Sequence, residues 1–208
     1  MKISNLPIPQ NLMELLLTEG YSELYPSQIE AVKADVLLGE NILLVTPTAS
    51  GKTLIAILTA GKTIIEKGGK VIYLTPLRAL AKEKYDEFKI FETLKKSNGN
   101  NIKVLLSSGD YDSSSSFLER GDIIILTNEK FDSLLRHGIS WIDEVMLIVA
   151  DEIHLVGDIY RGPTIETILT KIINFVPKTQ LLSLSATIKN SKEIAKWLNA
   201  KIVDTIWR

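Results

Sequence analysis

Residues 41–66 read NILLVTPTASGKTLIAILTAGKTIIE. The first six form a nearly continuous apolar, β-branched run, the pattern of a strand buried on both faces of a sheet. TPTASGKT (46–53) follows at once, a stretch of small residues closing on glycine and lysine. From Lys52 to Glu66 the apolar residues recur at helical spacing. A buried strand, a loop of small residues and an amphipathic helix in direct succession open an α/β unit.

The alternation continues along the chain. KVIYLT (70–75), IKVLLS (102–107), DIIILT (122–127), VMLIVA (145–150) and QLLSLS (180–185) read as further buried strands, and 78–95 as an amphipathic helix. Ahead of the first strand, helices are expected over 9–19 and 26–38, the second with Pro26 in its first turn and Gly39 just past its end. Residues 97–101 (SNGNN) read as a loop and Ser113–Ser116 as a surface turn before a short helix. The fold class is therefore a doubly wound α/β domain, with a mostly parallel sheet and helices on both faces. No linker or internal repeat interrupts it, so residues 1–208 read as one domain. In such sheets ligands sit at the carboxyl ends of the strands.

Composition bounds the rest. The 208 residues are 45% hydrophobic and 24% charged, which excludes a disordered chain. Cysteine is absent, so there is no disulfide framework and no cysteine-based zinc site, in keeping with a cytoplasmic protein. The opening MKISNLPIPQ is no signal peptide, and no apolar run approaches the ~20 residues of a membrane span. Lys plus Arg number 24 against 25 Asp plus Glu, so any contact with nucleic acid must rest on a local patch.

Two constellations carry chemistry. TPTASGKT sits where a phosphate-binding loop requires it, between strand and helix. Small residues let backbone N–H groups point inward at an anion, and the helix start adds its positive dipole end. Lys52 would lie on the β and γ phosphates and the Thr53 hydroxyl on Mg²⁺, with Thr48, Ala49, Ser50, Gly51 and Leu54 completing the cradle. Thr46 stands where the usual pattern has glycine; the bland alternative is a solvated lysine at a helix start. The second constellation is DEIH (151–154), after the strand VMLIVA. A carboxylate at a buried strand end is costly unless something satisfies it. Asp151 suits a metal ligand and Glu152 a base that polarises water for in-line phosphoryl transfer. The alternatives are an acidic helix cap, or zinc, which the two histidines and the absence of HExxH disfavour.

With these residues in view, a resemblance emerges. TPTASGKT, TPLRALAKE (75–83), TNEK (127–130), DEIH and SAT (185–187) stand in the order of superfamily 2 helicase motifs I, Ia, Ib, II and III. GDYDSS (109–114) and DEIHLVGDIYRGPTIE (151–166) resemble the Ski2-like group, and within it are most similar to the archaeal Hel308 family of DNA-repair helicases. The resemblance runs from about residue 20 onward and implies a RecA-like ATP-binding motor domain using ATP and Mg²⁺. It also implies single-stranded or forked DNA as partner, unwound 3′ to 5′, and a second motor domain lying outside this chain. By position, Gln28 in YPSQIEAV resembles the glutamine that reads adenine. Arg78, Thr127 and the backbone at Gly109 match residues that touch the sugar–phosphate strand. His154 and Ser185-Ala186-Thr187 match the elements that couple nucleotide state to strand grip.

Each has a plainer alternative: Arg78 as a solvated arginine, Gln28 as an exposed helix residue, Thr127 and Ser185 as helix caps. Arg161, in YRGPT, receives no role. The competing functions are a Ski2-like RNA helicase, a P-loop ATPase not acting on nucleic acid, and a degenerate binding platform. The ordered motifs oppose the second; the retained Lys52 and Glu152 oppose the third. Oligomeric state is left open, with a monomer as the default. Without the second domain's arginines, the chain alone is expected to hydrolyse almost no ATP.

Overall fold

The computed structural model of the chain describes residues 1–47, 50–109 and 115–205. In chain order the elements are α1 (Gln10–Thr18), α2 (Pro26–Lys33), β1 (Ile42–Val45), α3 (Lys52–Glu66), β2 (Lys70–Thr75), α4 (Arg78–Phe88) and β3 (Val104–Ser107). There follow α5 (Ser115–Leu118), β4 (Ile123–Thr127), α6 (Asn128–His137), β5 (Val145–Ala150), α7 (Gly162–Phe175), β6 (Gln180–Ser185), α8 (Ser191–Trp197) and β7 (Lys201–Asp204). Among the described residues the strands form one seven-stranded parallel sheet in the order β3-β4-β2-β5-β6-β1-β7. The expected α/β class with a parallel sheet is what forms.

Alternation along each strand sends side chains to two separate cores. Ile42, Leu44, Val71 and Tyr73 join the core under α1, α3 and α4. Their neighbours Leu43, Val45, Ile72 and Leu74 join the core on the opposite face, with α6, α7 and α8. Burial on both faces is why these strands read as continuous apolar runs rather than alternating ones.

Register decides where function can sit. Val45 pairs with Ser185, Thr75 with Thr127 and Leu74 with Ala150, so β1, β6, β5, β2 and β4 all end along one rim. Thr46, Pro76, Asn128, Asp151 and Ala186 each begin the segment leaving that rim.

Several elements differ from expectation. Ser115 and Ser116, read within a surface turn, begin the helix α5, while Ser113 and Ser114 lie outside the described residues. The helix foreseen over 26–38 ends at Lys33; Asp35 takes the left-handed conformation (φ 71°) and a short 3₁₀ turn follows at Val36–Leu38. That turn buries Val36 and Leu37 and aims the Val36 and Glu40 carbonyls at the Gln180 side-chain amide, 2.7 and 2.9 Å away. The helix foreseen over 78–95 ends at Phe88 and tightens into a 3₁₀ turn at Lys89–Thr93. This winding buries both Phe88 and Phe91, whose ring centroids lie 5.7 Å apart. The strand β7 was not foreseen: it is a short edge strand with a single buried residue, Val203.

Candidate nucleotide and strand site

The loop after β1 is closed by its own side chains. The backbone N–H of Thr46 donates to the Ser185 carbonyl at 3.1 Å, tying the loop to the neighbouring strand. The Thr46 and Ser50 hydroxyls hydrogen-bond at 2.5 Å, both buried. Where the common pattern has glycine, this chain therefore has a hydroxyl clip spanning the loop. Thr48 and Ala49 lie outside the described residues. Gly51 has φ 77°, a left-handed value that favours glycine, and immediately precedes α3.

Lys52 folds back over the loop, its Nζ donating to the Thr46 and Pro47 carbonyls, each at 3.1 Å. Its pKa is lowered, chiefly by burial; the negative charges of Glu152 and Asp151 work the other way. The sheet order brings the two constellations to one rim, since β1 and β5 flank β6, although about a hundred residues separate them in sequence. Thr53, half-buried at the start of α3, accepts a hydrogen bond from Lys84 Nζ at 3.2 Å. The Leu54 side chain is buried in the core, so only its main chain can face a phosphate.

Gln28 is not an exposed helix residue. It is 1% exposed, its Oε1 accepts from the Tyr25 backbone N–H at 2.7 Å, and its Nε2 donates to the Gly51 carbonyl at 2.8 Å. One side chain thus couples the start of α2 to the loop before α3.

Asp151 continues β5 past the rim, its N–H donating to the Leu74 carbonyl at 2.9 Å. Both carboxylate oxygens are held: Oδ1 accepts from the Glu152 N–H at 2.9 Å and Oδ2 from the Tyr73 hydroxyl at 2.7 Å. Tyr73 is fully buried, and its pKa is raised well above the usual value by burial and then by the Asp151 charge, so it remains a donor. Glu152 takes the left-handed conformation (φ 57°), uncommon outside glycine and a mark of a constrained strand end. His154 Nδ1 lies 3.2 Å from Glu152 Oε2 and 3.4 Å from the Ala186 N–H, which donates to it. One nitrogen cannot serve both: unprotonated, it accepts from Ala186; protonated, it donates to Glu152. His154 thus lies between the acidic pair and the Ser185-Ala186-Thr187 turn.

Beyond β2 the rim carries a second feature, a cavity of about 330 Å³ lined by Arg78, Gly109, Thr127, Lys130 and Arg161 among others. Of the expected strand contacts, Arg78, Gly109 and Thr127 are brought together here. Asp110 to Ser114, the remainder of GDYDSS, lie outside the described residues. Thr127 caps α6, its hydroxyl accepting from the Lys130 N–H at 3.3 Å, so the capping alternative holds for it. It does not hold for Ser185, whose hydroxyl donates to the Ala186 carbonyl while α8 begins only at Ser191.

Sequence reading missed Tyr73 and Lys84. A tyrosine within a fully buried strand signals a hydroxyl in need of a partner. Lys84 is a buried cation paired at 3.0 Å with Glu83 and with Glu87. Burial opposes its charge, but the hydrogen bonds its ammonium donates to those two carboxylates prevail and its pKa is raised.

The chain is similar to known helicases. A family model described as DEAD/DEAH box helicase matches residues 25–194. Over its whole length the chain is 49% identical to the ATP-dependent DNA helicase Hel308 of Thermococcus kodakarensis, 50% to that of Pyrococcus horikoshii and 48% to that of Methanocella arvoryzae. It spans 18% of the first of these proteins and 28% of the other two. Among solved structures it resembles the DUF1998 helicase MrfA bound to DNA, with TM-score 0.79 and 28% identity, over 95% of this chain and 30% of that one. The MrfA structure with DNA and AMPPNP gives TM-score 0.80 at 28% identity, over 95% and 29% of the two chains. Among the described residues no helix is long and apolar enough to cross a membrane.

Proposed function

The chain belongs to the DEAD/DEAH box helicase family, and on that premise we propose that it is the ATP-binding first motor domain of a Hel308-type helicase that unwinds branched DNA 3′ to 5′. The observation that carries the reading is that the loop from β1 to Lys52, at the start of α3, and the Asp151-Glu152 pair, just after β5, leave the same rim of the sheet one strand apart. The strand β6 lies between these two strands in the sheet and delivers the Ser185-Ala186-Thr187 turn beside them.

The residues fit a nucleotide with Mg²⁺. Thr53 and Asp151 offer a hydroxyl and a carboxylate, hard oxygen donors, and no group of three or more His, Cys, Asp or Glu side chains suited to a metal exists among the described residues. A site with so few protein ligands suits Mg²⁺, which keeps waters and substrate phosphates in its shell. When bound, the ion would screen the charge of the β and γ phosphate oxygens. Lys52 exchanges two carbonyl partners for phosphate oxygens, a stronger charge-assisted pairing. Ser50, Gly51 and the start of α3 turn N–H groups toward the phosphates, with Thr48 and Ala49 proposed to do the same. Gln28 reads adenine while keeping the loop in register through Gly51. Glu152 orients the attacking water and accepts its proton. His154 passes the state of Glu152 to the 185–187 turn.

Arg78, Gly109 and Thr127 hold the sugar–phosphate backbone without reading bases, as a motor moving through any sequence requires. A second motor domain supplies the far wall of the nucleotide cleft and the arginines that speed phosphoryl transfer, so the 208 residues alone bind nucleotide weakly and turn over almost none. The test is unwinding of a forked DNA by the protein carrying both motor domains. Glu152→Gln should keep ATP binding and abolish strand separation; continued unwinding would remove Glu152 from its role.

A further inference from the structure

Arg161 is the one residue singled out in the sequence that no role has absorbed, and the fold delivers it with some care. Asp158 Oδ1 accepts the N–H groups of Tyr160 and Arg161 at 2.9 and 2.8 Å, and the Gly162 N–H donates to the Asp158 carbonyl at 2.8 Å. A Cβ on Gly162 would stand 2.3 Å from the Val156 carbonyl oxygen, so only glycine lets α7 start so close to the preceding turn. Pro163 then fixes the first turn of the helix. These constraints set Arg161, the residue just before α7, at the wall of the cavity it shares with Arg78 and Lys130.

The charges there are uneven. Arg78, Lys130 and Arg161 form no ion pair among the described residues, whereas Lys52, Lys70 and Lys84 are each engaged through their ammonium groups. Among the described residues, Glu129 is the one acidic residue lining the same cavity. In a chain with 24 basic and 25 acidic residues, three cations without an ion pair against one lining carboxylate, among the described residues, mark a local anion site. It is not the nucleotide site, because the cavity lies past β2 while the phosphate loop follows β1, with β5 and β6 between.

We propose that Arg161 binds a backbone phosphate of the nucleic-acid strand, adjacent to the one held by Arg78, with Lys130 lining the same channel. The proposal rests on the strand-site reading given above and extends it to a residue in the turn after the acidic pair. Asp151 and Arg161 lie only ten positions apart, joined by the segment that contains His154, so the same turn carries both the nucleotide-sensing residues and a strand contact. A planar guanidinium suits this task, since it pairs with phosphate through two parallel N–H groups.

The experiment is fluorescence anisotropy of a labelled oligothymidine with the protein carrying both motor domains across a KCl series, comparing Arg161→Ala, Arg161→Lys and Arg78→Ala. Arg161→Ala should weaken binding by about tenfold and lower the slope of log affinity on log salt by about 0.7, the signature of one lost phosphate contact on a single strand. Arg161→Lys should keep most of the slope, and binding of an ATP analogue should not change in either variant. Affinity and slope unchanged in Arg161→Ala, with Arg78→Ala impaired, would overturn the proposal and leave the strand site standing. An equal loss of slope in Arg161→Lys would overturn it too, since charge would not be what acts. No effect of either arginine, or no binding by the unsubstituted two-domain protein, would bring down the strand-site reading and this proposal together.

Discussion

Replacing Tyr73 with phenylalanine removes one oxygen atom and leaves its ring where it is, packed edge-on against Phe88 at 5.3 Å. No appreciable cavity forms, so the change isolates the hydrogen bond to Asp151 Oδ2 at 2.7 Å. A hydrogen bond to a charged partner contributes about 1.5–3 kcal/mol net. Two effects pull the figure toward the lower end: the variant no longer buries a hydroxyl, and Asp151 at 9% exposure can recover part of its solvation from water. The expected loss is therefore about 1.5 kcal/mol, seen in urea unfolding as an earlier midpoint at unchanged slope. For a domain of this size that corresponds to a melting temperature lower by about 3–6 °C. Freed on one side, the Asp151 carboxylate should also hold Mg²⁺ less well, so the Mg²⁺ concentration that half-saturates ATP-analogue binding should rise. A stability change below about 0.5 kcal/mol together with an unaltered Mg²⁺ requirement would refute the reasoning.

Other substitutions probe other contacts. Lys52→Ala should reduce ATP affinity by at least about tenfold, read by direct titration, since it removes the charge-assisted phosphate contact; equal affinity would count against the phosphate loop. Gln28→Glu keeps an acceptor for the Tyr25 N–H but sets a buried carboxylate against the Gly51 carbonyl, and should weaken ATP binding by about tenfold and lower the melting temperature as well. Gly162→Ala forces a Cβ against backbone at 2.3 Å and should destabilise by about 1–3 kcal/mol, measured by chemical unfolding. The Asp158 carboxyl lies below the ordinary 3.8 because the Arg161 and Tyr160 N–H groups donate to its charged form. A depressed pKa stabilises the turn above the ordinary value and releases it only as pH falls through the lower one. The amide resonances of Tyr160 and Arg161 should accordingly titrate below 3.8, and a midpoint at or above it would contradict the bonded turn.

Much of the fold could be read from the chain because its strands are buried twice over. KVIYLT, VMLIVA and QLLSLS match β2, β5 and β6 end to end, since apolar runs flanked by polar residues mark both edges. β7 escaped because an edge strand with Lys201, Ile202 and Asp204 in contact with water carries no such run. The breaks after Lys33 and Phe88 escaped for a different reason. Local spacing permits a longer helix in both places, and distant partners, the Gln180 amide in one and the Phe91 packing site in the other, select a tighter turn. At the site, contiguous motifs were legible while pairings across the sheet were not. Lys52 and Asp151 could be named from their neighbours in sequence. Tyr73 could not be assigned to Asp151, because β2 and β5 become neighbours only through the sheet order. Gln28 was placed on the correct helix, yet its burial depends on the left-handed Gly51 approaching from 23 residues away.

The central claim is that one rim of this sheet holds ATP at one end and a nucleic-acid strand at the other, coupled through the 151–161 segment. The most direct test is the ATP hydrolysis rate of the protein carrying both motor domains, measured without polymer, with single-stranded DNA and with single-stranded RNA. The account predicts slow basal turnover, strong stimulation by DNA, and loss of that stimulation in Arg78→Ala. Basal turnover unaffected by either polymer would contradict it, leaving a nucleotide hydrolase whose second site is not a strand channel.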